Sequence, residues 1–288
     1  MFDFRYHVAS LAAVFVALVI GILAGIGLSG RGFVNDAERS VLHGQINDLR
    51  SQRDAAVAAL ADSNRRGAAF DDFAETTYPA LARGRLRDKH VAVLFVGSID
   101  QGISTAISRA VRDAGGSITR VRALGVPLDQ AAIAAALPAP ARRDFVTRGR
   151  WEALGRALGA EYVHGGQTPL WDALAEAIVD EQDGSSKPPV DAVVIARPAR
   201  PSAGMTKDVL AGLYQGLSGA GQPAVGVETA AAQRSAIPVF RRGGLSTVDS
   251  VESASGRLAT ILLLAGGRPG SYGVDDTAVD GVLPPVTR

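Results

Sequence analysis

Residues 90–124 read HVAVLFVGSIDQGISTAISRAVRDAGGSITRVRAL. His90–Gly97 is an apolar, β-branched run that closes on glycine, the pattern of a strand buried on both faces. Ile103, Ala106, Ile107, Ala110, Val111 and Ala114 then recur at helical spacing. Ser98 is placed to cap that helix, and Gly115-Gly116 to stop it. Ser117–Leu124 alternates apolar with polar residues as a second strand. Strand, helix and strand in this order predict a parallel α/β sheet, because parallel neighbours need a crossover connection.

Towards the C-terminus the alternation continues. Arg142–Leu158 has a helical pattern, and Thr168-Pro169 reads as a cap with proline at the first helical position, leading a helix to Ile178. The polar loop DGSSKPP precedes a strand over Val190–Ala196. A helix over Lys207–Leu217 ends at Gly219, and Ala224–Val227 is a short strand. Phe240 and Gly243-Gly244 mark an irregular segment. Ser253 or Ser255 then caps the apolar helix GRLATILLLAG, and the tail from Val274, with Pro284-Pro285, reads as exposed. Residues 88–273 therefore predict one Rossmann-like, doubly wound α/β domain, followed by an exposed tail over 274–288.

Towards the N-terminus the character changes. Residues 67–87 read as a linker helix from about Ala68 to Arg83, with Pro79 arguing for an interruption or early end. In 31–66, Leu42, Ile46, Leu49, Ala56 and Leu60 fall on the a and d positions of one heptad frame, which Arg53 interrupts. That pattern predicts a short, parallel coiled coil and hence a homo-oligomer; a lone helix packed on the globular domain is the alternative. Residues 1–30 hold the run VASLAAVFVALVIGILAGIGLS, uncharged from Val8 to Ser29, against the ~20 apolar residues a helix needs to cross a bilayer. It is longer than a signal-peptide core and lacks a clear cleavage site, so an uncleaved anchor is expected. A short N-terminal tail is easily retained inside, which predicts an extracytoplasmic C-terminal domain.

The same run contains a literal G-x-G-x-x-G at Gly25, Gly27 and Gly30. A dinucleotide fingerprint must follow a strand and open a helix, whereas these glycines end an apolar helix. Gly21 and Gly25, with Ser29 continuing the row, instead have the small-residue spacing that lets two membrane helices approach closely.

The 288 residues carry a net charge of +1, too little to attract nucleic acid. With no cysteine, disulfides, thiolate metal sites and cysteine nucleophiles are excluded. Gly97–Gly102 has phosphate-loop glycine spacing but no lysine, no G-x-S-x-G occurs, and His164-Gly165-Gly166 reads as a turn after a strand. No enzyme activity and no cofactor are expected. His7, His43, His90 and His164 are dispersed, and Met205 is the one thioether beyond the initiator, a poor donor set for soft copper(I). The remaining candidates are residues at predicted strand ends, where doubly wound sheets bind ligands: Ser98, Asp100, Arg197 and Glu228. They serve equally well as helix caps and surface pairs.

Several stretches together resemble a known family. FRYHVASLAAVFVALVIGILAG, the charged helix after it, the GRL…VAVLFVG approach to the first strand, Leu245–Glu252 (LSTVDSVE) with Gly256, and Ser271-Tyr272-Gly273 resemble the actinobacterial copper-transport protein B (MctB) family over nearly the whole chain. The resemblance implies a cell-envelope protein, a copper transporter or outer-membrane channel that keeps copper low. Two functions follow: copper efflux or homeostasis, or a single-pass scaffold or ligand-sensing module that moves no metal itself. A pore needs polar residues along the membrane helix, and Val8–Ser29 offers only Ser10 before Ser29.

Overall fold

The computed structural model describes residues 4–29, 33–197, 202–230, 232 and 234–286. It contains two compact units, Met1–Gly67 and Ala68–Arg288. In the first, α1 (Phe4–Ser29) carries the apolar run; His7–Gly27 is long and apolar enough to cross a membrane. The second helix, α2, runs unbroken from Phe33 to Ala82. Separate helices before and after residue 67 are thus corrected to one. Pro79 does not end it early, because a proline three residues from the terminus removes only one of the last backbone bonds. The stretch read as a linker instead supplies Tyr78, Ala82 and Leu86 to the core of the second unit.

That unit is a seven-stranded sheet between two helical layers. Its elements are β1 (His90–Val96), α3 (Gln101–Asp113), β2 (Ser117–Leu124), α4 (Gln130–Ala136), α5 (Ala139–Ala141), a π-helical turn over Arg142–Thr147, α6 (Trp151–His164), α7 (Pro169–Ile178), β3 (Val179–Gly184), β4 (Ala192–Ala196), α8 (Gly204–Gly219), β5 (Ala224–Val227), α9 (Ile237–Arg242), β6 (Ser246–Val248), α10 (Ala254–Leu264) and β7 (Ser271–Tyr272). The strand order is β3-β2-β1-β4-β5-β6-β7. Only β3 is antiparallel to its neighbour. The doubly wound layout expected from sequence is the one found.

The period of two along β1 builds both cores. Val91, Val93 and Phe95 face α3, α10 and the end of α2. Ala92, Leu94 and Val96 face the layer of α4, α6, α7, α8 and α9. In that second layer α6 and α8 run in the same direction at backbone contact. Gly155 and Gly159 of α6 face Val209, Leu213 and Leu217 of α8, while Gly212 and Gly216 of α8 face Glu152 and Arg156 of α6. Each position is closed to a Cβ, which would meet backbone closer than 3.0 Å.

Several local expectations are corrected. Asp100, not Ser98, caps α3: its Oδ1 accepts from the Ile103 amide at 2.9 Å. The predicted helix over 142–158 is broken at Gly149, whose φ of 63° suits glycine. His164-Gly165-Gly166 follows a helix, not a strand. Ile237–Arg242, read as irregular, forms α9, and β6 and β7 are added strands. The tail is mostly exposed, but Pro284 is buried and Leu283 packs on the first core.

The strand β3 is one the sequence reading does not predict; only its last two residues fall in the polar loop DGSSKPP. VDEQDG has no apolar alternation, yet it pairs with β2 from Arg120↔Gly184 to Leu124↔Val179. Two arginines of β2 hold it. Buried Arg120 donates to the carbonyls of Ser185 at 2.9 Å, Ser186 at 2.8 Å, Pro188 at 2.6 Å and Tyr162. Arg122 donates to the carbonyls of Asp183 and Gly184 and to Ser186 Oγ. Burial pulls the Arg120 guanidinium below its ordinary pKa, with Arg122 adding to the effect.

Candidate functional site

From β1 the chain passes to β2 on one side and, later, to β4 on the other. Their carboxyl ends diverge, and the crevice between them is where doubly wound sheets place ligands. A cavity of about 330 Å³ lies there, lined by Phe95, Ser98, Ile99, Asp100, Ala196 and Arg197 among others. Three of the four strand-end candidates, Ser98, Asp100 and Arg197, are thus brought together. Asp100 spends one oxygen on the α3 cap. Arg197 Nη1 donates to the Tyr214 hydroxyl at 3.2 Å. No histidine lines the cavity, so Ser98 has no imidazole base beside it. The arrangement offers a carboxylate, a hydroxyl and a guanidinium for hydrogen bonding a polar ligand.

Glu228 is not part of this cavity. It is 4% exposed at the end of β5. Its carboxylate accepts from Ser235 Oγ and from the Ala236 amide, both at 2.6 Å, and so fastens the segment entering α9. Burial raises its pKa, partly offset by these donors; the Asp249 charge raises it further.

Of the stretches that carry the family resemblance, the two nearest the C-terminus meet in one place. LSTVDSVE contains β6 and SYG contains β7, which pair as Thr247↔Ser271 and Val248↔Tyr272. Thr247 Oγ1 donates to Ser271 Oγ at 2.9 Å. Asp249 is buried and accepts from the Val274 amide at 2.9 Å, the Asp275 amide at 3.2 Å and Thr277 Oγ1 at 3.1 Å. Gly273, at φ 144°, leaves room for that carboxylate, and Gly256 leaves room for the Ser250 carbonyl. Asp249 was not among the residues singled out as candidates, although its motif was noted. Its three donors make it the anchor of the 274–277 turn.

The helix-packing and coiled-coil candidates stand apart from the cavity. A Cβ at Gly21 or Gly25 meets nothing within 4 Å; Ser29 ends α1, and its side chain lies outside the described residues. Leu42, Ile46, Leu49, Ala56 and Leu60 are all exposed in the single chain. Arg53, which interrupts their frame, pairs with Asp54 at 2.6 Å.

Metal donors are similarly placed one by one. Met205 is partly buried against the second core. The Val163 carbonyl accepts from the Val190 amide, and the His90 carbonyl from the Asp191 amide. His164 and His90 therefore border the same segment. His90 Nδ1 lies 3.3 Å from Asp191 Oδ2. Among the described residues, no group of three histidine, aspartate or glutamate side chains is arranged to hold a metal ion.

Residues 1–284 match the family model described as "Copper transport outer membrane protein, MctB". The chain is 26% identical, over 323 aligned positions, to the copper transporter MctB of Mycobacterium tuberculosis and to that of Mycobacterium bovis. The alignments cover 97% of this chain and 98% of each relative. Matching the family model over almost its whole length, the chain belongs to the MctB family of copper transport outer membrane proteins.

Proposed function

We propose that this protein acts in copper efflux or copper homeostasis in the cell envelope. It does so as a single-pass, membrane-anchored chain with its α/β unit outside the cytoplasm, self-associating through the glycine face of α1 and the heptad seam of α2. The observation that carries this reading is the match of residues 1–284 to a copper transport family, with relatives named copper transporters aligned end to end. The His7–Gly27 span supports a single anchor. No catalytic step is assigned.

A second reading, an anchored scaffold or ligand-sensing module that moves no metal itself, is favoured by one observation. The His7–Gly27 span contains a single hydroxyl, Ser10, and no charge between Val8 and Gly27, whereas ion paths through membranes are marked by polar or ionisable residues.

Removing the gene and measuring cell-associated copper tests the first reading. Copper load and copper sensitivity should rise, and the full chain should reverse both while a chain lacking residues 1–30 should not. Unchanged copper on deletion would overturn it. Copper flux through the purified protein in liposomes separates the two readings: flux supports transport, and its absence alongside a cellular phenotype supports the scaffold.

A further inference from the structure

A second cavity, on the other side of Arg197, has a chemical character that the copper role does not use. It measures about 330 Å³ and lies between α8 and α9, within the size range of small-molecule pockets. Its charged lining groups are Arg197, Lys207 and Arg242, with no aspartate or glutamate among the lining residues.

The neutral polar groups add donors. Tyr214 is 1% exposed, and its hydroxyl accepts from Arg197 at 3.2 Å. That bond uses a lone pair and leaves the phenol hydrogen to donate. Gln215 Oε1 accepts from Arg156 Nη2 at 2.6 Å and Nε at 3.2 Å, so the amide presents its NH2. Neither Lys207 nor Arg242 pairs with an acid among the described residues.

Arg242 sits in the last turn of α9, where a helix favours a cation. Lys207 is placed the opposite way, near the start of α8, where the helix pole is itself positive. The cap residue there, Ala203, supplies no side-chain acceptor. At that position the helix end gives Lys207 no compensating negative charge. Leu210 supplies an apolar wall.

We propose that this cavity binds a small organic oxyanion. Its charged end, a phosphate ester or a carboxylate, meets Arg197, Lys207 and Arg242 and takes hydrogen bonds from Tyr214 and Gln215. Its apolar body lies along Leu210. Guanidinium groups suit both oxyanions through paired N–H donors. The proposal is independent of copper, so each can fail while the other stands.

Calorimetric titration of the full chain in detergent tests it, with phenyl phosphate, benzoate and inorganic phosphate as probes and phenol as the uncharged control. One of the two organic anions should bind saturably at one per chain, and phenol should not. If the phosphate ester is the ligand type, phenyl phosphate binds and inorganic phosphate displaces it; if the carboxylate is, benzoate binds more tightly. The double variant K207Q/R242Q should weaken binding at least tenfold without lowering the melting temperature, since both side chains are exposed. R241Q, which removes a charge one residue outside the lining, should leave binding intact. The proposal is overturned if neither organic anion saturates, or if R241Q weakens binding as much as the double variant does.

Discussion

Gly159→Ala probes the backbone contact between α6 and α8. A Cβ at Gly159 would sit 2.5 Å from the Leu213 carbonyl oxygen, 2.7 Å from the Leu217 nitrogen and 2.9 Å from the Gly216 carbonyl carbon. All three are backbone atoms, so no side-chain rotation relieves the clash. Restoring contact distances of ~3.5 Å requires α6 and α8 to part by about 1 Å, which forfeits a quarter to a half of each dispersion contact along the seam. Overpacking of this kind costs about 1–3 kcal/mol, and the absence of any yielding side chain places it at the upper end. Alanine regains about 1 kcal/mol of helix propensity over glycine. The net loss is about 2 kcal/mol, or a fall of roughly 4–8 °C in melting temperature for a unit of this size. Thermal melts of residues 68–288 would measure it. Gly219→Ala, in the last turn of α8 with nothing within 4 Å of the new Cβ, is the control and should be neutral or slightly stabilising. A Gly159→Ala protein as stable as wild type would refute the argument that glycine is there for backbone approach.

Gly21→Leu with Gly25→Leu should reduce crosslinking between full-length chains in membranes, because a Cβ at either position has nothing within 4 Å in the single chain and the added bulk holds a second helix away; undiminished crosslinking would leave the α2 seam as the remaining contact. Glu228 holds its proton to higher pH when folded than when unfolded. Its contribution to stability is therefore complete below the ordinary glutamate range and is lost as pH rises through the folded value. The stability difference between wild type and Glu228→Gln, from denaturant titrations, should shrink from about pH 4.5 upward; a difference that is flat or grows with pH contradicts the assignment. Copper(I) competition against a chelator should find no tight site in residues 68–288, since high affinity needs converging soft ligands and Met205, partly buried against the second core, is the single thioether there. Stoichiometric binding abolished by Met205→Leu or His90→Ala would establish a direct metal role.

The candidate site was legible in part. Ser98, Asp100 and Arg197 could be chosen because strand ends in a doubly wound sheet gather at the switch in strand order, a rule that needs only the strands to be located. Glu228 met the same criterion and stands elsewhere: its carboxylate is consumed by Ser235 and Ala236, partners that no spacing rule points to. Tyr214 carried no signal beyond its place among the apolar residues of α8. The LSTVDSVE and SYG stretches were recognisable as motifs, but their meeting through the β6–β7 pair, with Asp249 holding the 274–277 turn, joins segments more than 20 positions apart.

By itself the sequence determined what periodicity and composition can carry. An uncharged run of bilayer length reads as a spanning helix, and the change from period two to helical spacing over 90–124 reads as a parallel α/β unit, because both signals lie within one element and its neighbour. Tertiary structure alone decided the rest. VDEQDG becomes a strand because β2 offers an open edge and Arg122 and Arg120 bind carbonyls at its end and just beyond it. The glycines of α6 and α8 acquire a purpose only when two helix backbones meet. The donor-lined cavity exists because Arg197, Lys207 and Arg242, from three separate elements, converge around Tyr214. Convergence of distant segments is set by the packing of the whole sheet, and no local pattern encodes it.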